Sequence, residues 1–302
     1  MTDRKRIFLR RLFSSSLLWS AALAIIFSGS VPGFLVLISG LTLIGLWEYY
    51  TILDHKKLPN FKIFGMVCGA LLCTGSFYYI GRAHAGISQP SFAARAYDFE
   101  VATLVMFMLV VFGRQMFQRT PDVSSLETMA YTFFGLLYVP WMFSFVTKII
   151  FLPPRDPLTG HVTGHWYVLW LVVVTKFSDM GAYVTGSLIG KHPLIPHISP
   201  KKTWEGFFGA LAFSTGGACG LLAIMPNKLP ILNQIDAVVL GIGLGFAAIV
   251  GDLAESIIKR NCDVKDSGRM LPGIGGALDL IDSILFTAPL LFFYLRFAKN
   301  VP

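Results

Sequence analysis

Three pairs of ionisable residues lie inside apolar stretches, each pair three positions apart: Lys176 with Asp179, Asp252 with Glu255, and Asp279 with Asp282. On a helix that spacing puts both members on one face. In a bilayer each such charge costs roughly 2.5–3.5 kcal/mol on insertion scales, so these residues should face a bundle interior or water. Lys176–Asp179 reads equally well as a structural ion pair. Asp252, Glu255, Asp279 and Asp282 are all acids, and four acids together cannot all stay ionised without cations. A hard divalent ion with oxygen ligands resolves the conflict. A proton relay or cation pathway through the same carboxylates is the competing reading.

The segment joining the last two pairs is dense in charge. Lys259, Arg260, Lys265 and Arg269 stand among Asp263 and Asp266, and Gly273, Gly275 and Gly276 follow. Cations beside a carboxylate metal site suit a polyphosphate that bridges metal and protein. Glycines at a helix start let backbone N–H groups approach an anion closely, although a turn of no function is the commoner meaning of such a run. A second polar segment, 190–206, contains Lys201 and Lys202, followed by Trp204 and Glu205. The two lysines could hold phosphate at the membrane surface, or with Trp204 simply anchor a helix end. Ser199 or Thr203 could cap the helix that follows. His161, His165, His192 and His197 fall at no ligand spacing, and the four cysteines form no C-x-x-C pair.

The elements that carry these residues must cross a membrane. Of 302 residues 54% are hydrophobic and 14% charged, against about 25% charged in an ordinary soluble domain. Mean hydropathy is +0.64. A soluble fold is excluded, because so few charges cannot wet the surface of such a core. The fold class is all-α: a polytopic membrane protein of about nine transmembrane helices, near 14–28, 31–50, 61–81, 97–113, 126–146, 165–189, 203–225, 235–258 and 275–297. The first is short, and the first two could form a hairpin that does not fully cross. No secretory signal peptide is expected.

With the N-terminus in the cytoplasm, 17 Lys and Arg fall in cytoplasmic segments and 7 outside. That split places the N-terminus in the cytoplasm and the C-terminus outside. It also accounts for the net charge of +8 without a nucleic-acid partner. In this topology Asp252 lies about 10 Å below the cytoplasmic end of its helix, with Asp279 and Asp282 at similar depth. The chain divides into 1–151, whose spans carry almost no buried charge except Glu48 at the cytoplasmic end of the second, and 152–302, with cytoplasmic loops 190–202 and 259–274. No internal repeat suggests the inverted architecture of many transporters.

These residues resemble a known signature. Ser256-x-x-Lys259-Arg260, Lys265-Asp266-Ser267, Leu271-Pro272-Gly273, Gly275-Gly276 and Leu278-Asp279-x-x-Asp282-Ser283 are similar to the motif of the CDP-diacylglycerol synthases, or phosphatidate cytidylyltransferases. Ser178-Asp179 to Tyr183, Gly186, Gly190-Lys191 and Ser199 to Gly206 resemble that family's second recurring segment. The likeness covers a little over a third of the chain. Two positions depart: Ile274 stands where the family usually has His, and Leu280 where it usually has Arg.

The resemblance implies a reaction in which phosphatidic acid attacks the α-phosphorus of CTP, giving CDP-diacylglycerol and pyrophosphate. It implies Mg²⁺ on Asp252 and Asp279, with a second metal ion left open. Asp282 and Asp266 would serve metal or its outer shell. Lys259, Arg260 and Lys265 would contact the triphosphate, and Lys201 and Lys202 the lipid phosphate or pyrophosphate. Ser256, Gly275 and Gly276 would line the pocket. The implied partners are CTP, phosphatidic acid and membrane lipids; a homodimer stays open. The implied location is a bacterial inner membrane, multi-pass, with the active site facing the cytoplasm; an organelle stays open.

Two alternatives stand beside this reading. One is a cytidylyltransferase for another membrane lipid phosphate. The other is a cation-coupled secondary transporter, which would have little need for the loop 259–274. A CDP-alcohol phosphotransferase is excluded by the lack of an Asp-Gly-x-x-Ala-Arg stretch. Asp279→Asn is expected to abolish Mg²⁺- and lipid-dependent release of pyrophosphate from CTP while the protein still inserts. Arg114→Ala, distant in the chain, should leave the rate nearly unchanged in the same assay.

Overall fold

The computed structural model describes residues 3–84, 91–117, 123–156, 160–268 and 275–299. Arg269, Leu271, Pro272, Gly273 and Ile274 lie outside the described residues. Helix α1 (Asp3–Ser28) ends at Gly29, which takes a left-handed φ of 61°. Ser30 then caps α2 (Val31–His55): its Oγ accepts the N–H of Gly33 at 3.3 Å, and Pro32 sits in the first turn, where a missing N–H costs nothing. Helices α3 (Lys62–His84) and α4 (Ser91–Met116) follow. Helix α5 (Val123–Leu136) passes through a π-helical turn, Leu137–Trp141, into α6 (Met142–Phe151). Pro140 lies in that turn; it has no N–H to give the ladder, and the wider turn accommodates its ring.

Helix α7 (His165–Ile189) leads into a two-stranded antiparallel hairpin, β1 (Pro193–Ile195) and β2 (Ser199–Thr203). This hairpin occupies the segment expected to be a plain loop. Helix α8 (Trp204–Ile224) is capped by Thr203, whose Oγ1 accepts the N–H of Gly206 at 3.1 Å. Helix α9 (Gln234–Asn261) starts from a reciprocal cap: Asn233 N–H donates to Asp236 at 2.7 Å, and Asp236 N–H donates to Asn233 at 2.9 Å. Helix α10 (Ala277–Phe293) continues into a π-helical turn, Tyr294–Ala298.

Eight helices among the described residues are long and apolar enough to cross a membrane. The protein is an all-α polytopic membrane protein apart from the small hairpin. The expected first span corresponds to the end of α1, where the described apolar stretch, Ser16–Ser28, is shorter than the other eight. Val36, Met106, Leu109 and Phe112 are exposed along α2 and α4, as suits faces turned to lipid.

The chain forms two compact units, Met1–Thr147 with Cys262–Leu280, and Lys148–Asn261 with Ile281–Pro302. Cys262–Leu280 clusters with the N-terminal helices. In this first unit the Tyr49 and Tyr50 hydroxyls donate to the carbonyls of Tyr131 and Thr132 at 3.1 and 2.9 Å. Ser76 Oγ donates to the buried Glu100 carboxylate at 3.1 Å between α3 and α4.

The second unit is held by backbone proximity. Lipid offers no hydrophobic drive between helices, so small residues and interhelical hydrogen bonds take over. Gly181 of α7 lies against the Gly209 carbonyl of α8. Ser214 Oγ donates to the Gly241 carbonyl at 2.8 Å, Ser178 Oγ to that of Gly245 at 3.2 Å, and Trp170 Nε1 to that of Ala218 at 3.1 Å. A Cβ added at Gly181 would come within 2.5 Å of the Gly209 oxygen and 2.6 Å of Phe213 Cβ. Gly181→Ala is therefore expected to lower stability by about 1–3 kcal/mol, read as a reduced unfolding temperature in detergent. Gly216→Ala, with nothing within 4 Å of the new carbon, should leave that temperature unchanged or slightly higher.

Candidate active site

Within the second unit four elements bring ionisable side chains together. Lys176 and Asp179 of α7 pair at 3.0 Å. Lys202 of β2 reaches Asp252 of α9 at 2.7 Å. Asp282 of α10 is buried, and the charges of Asp252, Lys176 and Asp179 all act on it. Asp179 in turn feels Lys176, Asp252 and Lys202. The helices that carry Asp252 and Asp282 meet backbone to backbone. A Cβ at Gly251 would lie 2.6 Å from the Asp282 carbonyl and 3.0 Å from Ser283 Cα. Lysines thus alternate with aspartates, which limits repulsion among three acids.

The hairpin sets which lysine enters this group. Lys202 reaches Asp252 while Lys201 is exposed, in a stretch where the pairing register of the hairpin shifts. Arg260, at the end of α9, donates from Nε to the Ile198 carbonyl at 3.4 Å and fastens the hairpin turn. At the other edge of the hairpin, Glu205 accepts the backbone N–H groups of Lys191 and His192 at 3.1 and 3.3 Å. Ser256 is half-buried one turn beyond Asp252. Glu255, expected to join the aspartates, is buried and takes Lys259 as its partner at 2.7 Å. Among the described residues no three of His, Cys, Asp and Glu are arranged to hold a metal ion by themselves.

The first unit holds the remaining signature residues. Gly275 has a φ of 116°, open to glycine alone. Gly276 donates its N–H to Asp279 Oδ2 at 2.9 Å, and Leu278 donates its N–H to Glu48 Oε2 at 2.9 Å. Two protein carboxylates therefore accept the N–H groups of Gly276 and Leu278. Lys265 and Asp266 are exposed in the loop before α10. Asp263 pairs with Lys56, whose ammonium holds the Asp263 carboxyl below its ordinary range, while the carboxylate raises the lysine. Burial pushes the Cys262 thiol up, which leaves it a poor nucleophile or metal ligand.

Sequence reasoning left Lys176–Asp179 open as a bare ion pair and gave Glu48 no role. For the first, the i,i+3 spacing in an apolar helix was the available signal. For Glu48 the signal was an acid at the end of an apolar span.

A group of lysines and aspartates from four elements thus lies in the second unit. The cytidylyltransferase family profile matches residues 9–298, and the chain belongs to that family. It is 37% identical over 169 residues to a phosphatidate cytidylyltransferase of Mycobacterium leprae, covering 56% of this chain and 50% of that one. It is 35% identical over 178 residues to the protein YnbB of Escherichia coli, covering 57% and 55%. Against the chloroplastic phosphatidate cytidylyltransferase 5 of Arabidopsis thaliana identity is 30% over 290 residues, 87% of this chain and 66% of that one. The chain spans about half the length of the bacterial relatives it matches here.

Removing one cation from the second-unit group should unbalance it. Lys176→Met leaves Asp179 without its 3.0 Å partner and is expected to cost about 1–2 kcal/mol, less than a fully buried pair because both side chains are partly exposed. Lys176→Met combined with Asp179→Asn should recover at least half of that loss, measured by thermal unfolding of the single and double variants.

Proposed function

We propose that the protein transfers the cytidylyl group of CTP to phosphatidic acid, giving CDP-diacylglycerol and pyrophosphate. The observation that carries this reading is the group formed by Lys202, Asp252 and Asp282 with Lys176 and Asp179, in a chain whose family profile is that of cytidylyltransferases. A phosphate oxygen of the lipid forms a bond to the α-phosphorus of CTP. The bond from that phosphorus to the oxygen of the β-phosphate breaks, and pyrophosphate leaves with the electron pair. The lipid phosphate is already largely ionised near neutral pH, so no general base is needed. The difficulty is bringing two anions together, and cations that position and neutralise them do most of the work.

The residues divide that work. Lys202 sits at the edge of the carboxylate group, where it can leave Asp252 for a phosphate. Lys201 beside it is free to meet the lipid headgroup. Lys259, Arg260 and Lys265 supply positive charge to the triphosphate, and Ser256 borders the same face of α9. The donor set suits Mg²⁺, a hard ion usually held by one or two carboxylates and substrate phosphates rather than by an all-protein cage. Asp252 would hold it, with Asp282 beside it. Asp279, one turn earlier in the sequence of α10, is the second expected ligand. When bound, the ion neutralises charge on the phosphates.

The basic segments support a cytoplasmic N-terminus and a site open to cytoplasmic CTP in a bacterial inner membrane. The diacyl tails of the substrate stay in the bilayer while its phosphate reaches headgroup depth. The deciding experiment follows pyrophosphate release by the purified protein in mixed micelles. Turnover should require CTP, phosphatidic acid and Mg²⁺ together. Asp252→Asn should reduce it by about 10²-fold or more, in line with the loss of a main electrostatic group. Turnover only with a different lipid phosphate would replace the acceptor. Cation flux without pyrophosphate release would replace the reaction class with transport.

A further inference from the structure

Helix α10 begins at Ala277, and the first N–H groups of any helix lack intrahelical partners. The residue just before a helix normally supplies a Ser, Thr, Asp or Asn oxygen to one of them. Here that residue is Gly276, which has no side chain. The missing oxygen arrives from α2, 230 positions away in sequence: Glu48 Oε2 accepts the Leu278 N–H at 2.9 Å. The other half of the cap is local, because Asp279 Oδ2 accepts the Gly276 N–H at 2.9 Å, as the third helical residue does in a capping box.

The surroundings of Glu48 are built around it. The side chain is only 2% exposed. A Cβ on Gly276 would come within 2.6 Å of Oε2, and one on Gly268 would overlap Oε1. Both glycines therefore leave space for this carboxylate. A negative charge at a helix N-terminus is favoured by the aligned peptide dipoles, which offsets part of the cost of burying it. A second tie, Lys56 to Asp263, fastens the end of α2 to the start of the same loop.

We propose that Glu48 is a positioning residue for nucleotidyl transfer: a buried cap, supplied from a distant helix of the same chain, that fixes the first turn of α10 and with it the orientation of Asp279. This rests on the reaction proposed above. Glu48 touches no substrate; it acts through the helix start. The effect depends on an acceptor oxygen at the Leu278 N–H, so Glu48→Gln should preserve most of it and Glu48→Ala should abolish it.

The test uses the full chain in micelles and reads two quantities, amide hydrogen exchange at Gly276 and Leu278 and the kinetics of pyrophosphate release from CTP with phosphatidic acid. In Glu48→Ala exchange at these amides should rise at least about tenfold, as expected when a local cap opens without global unfolding. The same variant should lose kcat by about 10- to 100-fold with the KM for CTP changed less than about threefold, the pattern of a misplaced group rather than lost binding. Glu48→Gln should stay within about threefold of the unmutated chain in both readouts. Unchanged exchange at Leu278 in Glu48→Ala overturns the proposal. So does acceleration by the same factor throughout α2 to α5, which marks general destabilisation. Glu48→Gln as damaged as Glu48→Ala also overturns it, since charge rather than capping would then matter. If Glu48→Ala does not accumulate, Glu48→Asp, its carboxylate drawn back by one methylene, decides by the same two readouts. An unmutated chain without turnover defeats the proposed reaction, while the exchange measurements still decide whether Glu48 caps α10.

Discussion

A charge carried into apolar surroundings must find much of its compensation among its immediate neighbours. Much of this protein's architecture follows from that constraint. Lys176, Asp179, Lys202, Asp252 and Asp282 come from four elements, and none of the four could keep its charge in the membrane alone. Their convergence requires helices closer together than large side chains allow. Gly181 against Gly209, and Gly251 against the backbone of Asp282 and Ser283, supply that closeness. Function and packing are thus one problem here: the glycines that let the helices touch also decide which carboxylates meet.

The helix N-terminus in the first unit solves the same problem with different means. Glu48 is surrounded by Gly268, Gly276 and Ser267, and its compensation includes a backbone N–H and a helix dipole. A glycine-rich turn ahead of a helix invites the expectation of a bound anion. Here a carboxylate of the chain itself, that of Glu48, accepts the Leu278 N–H of the first turn.

What could be read from the sequence divides along physical lines. The helices were legible because apolar length is a nearly sufficient signal in lipid, and the expected spans from 31–50 onward each overlap a long apolar helix. Asp252 and Asp282 were legible as partners of some kind because of their cost in an apolar run. The partner of Glu255 was not anticipated, although Lys259 stands four residues on: the i,i+4 pairing competes with convergence across helices, and only packing decides which wins. The hairpin over 193–203 was hidden by three prolines, which argue against a central strand but are tolerated in so short a pair with both edges open. The clustering of Cys262–Leu280 with the N-terminal helices depends on contacts such as Glu48 with Leu278, which leave no periodic trace in the sequence.

That hairpin carries a consequence for how the chain can change over evolutionary time. Its register shifts between the pair Ile195–Ser199 and the pair Pro193–Thr203, so that β2 carries extra residues, Lys201 and Lys202 among them, opposite β1. A bulge of this kind bends a strand and re-aims a side chain, and here the lysine against Asp252 is the one it aims. Relatives that keep this arrangement should keep the offset between the two strands, whatever residues spell it.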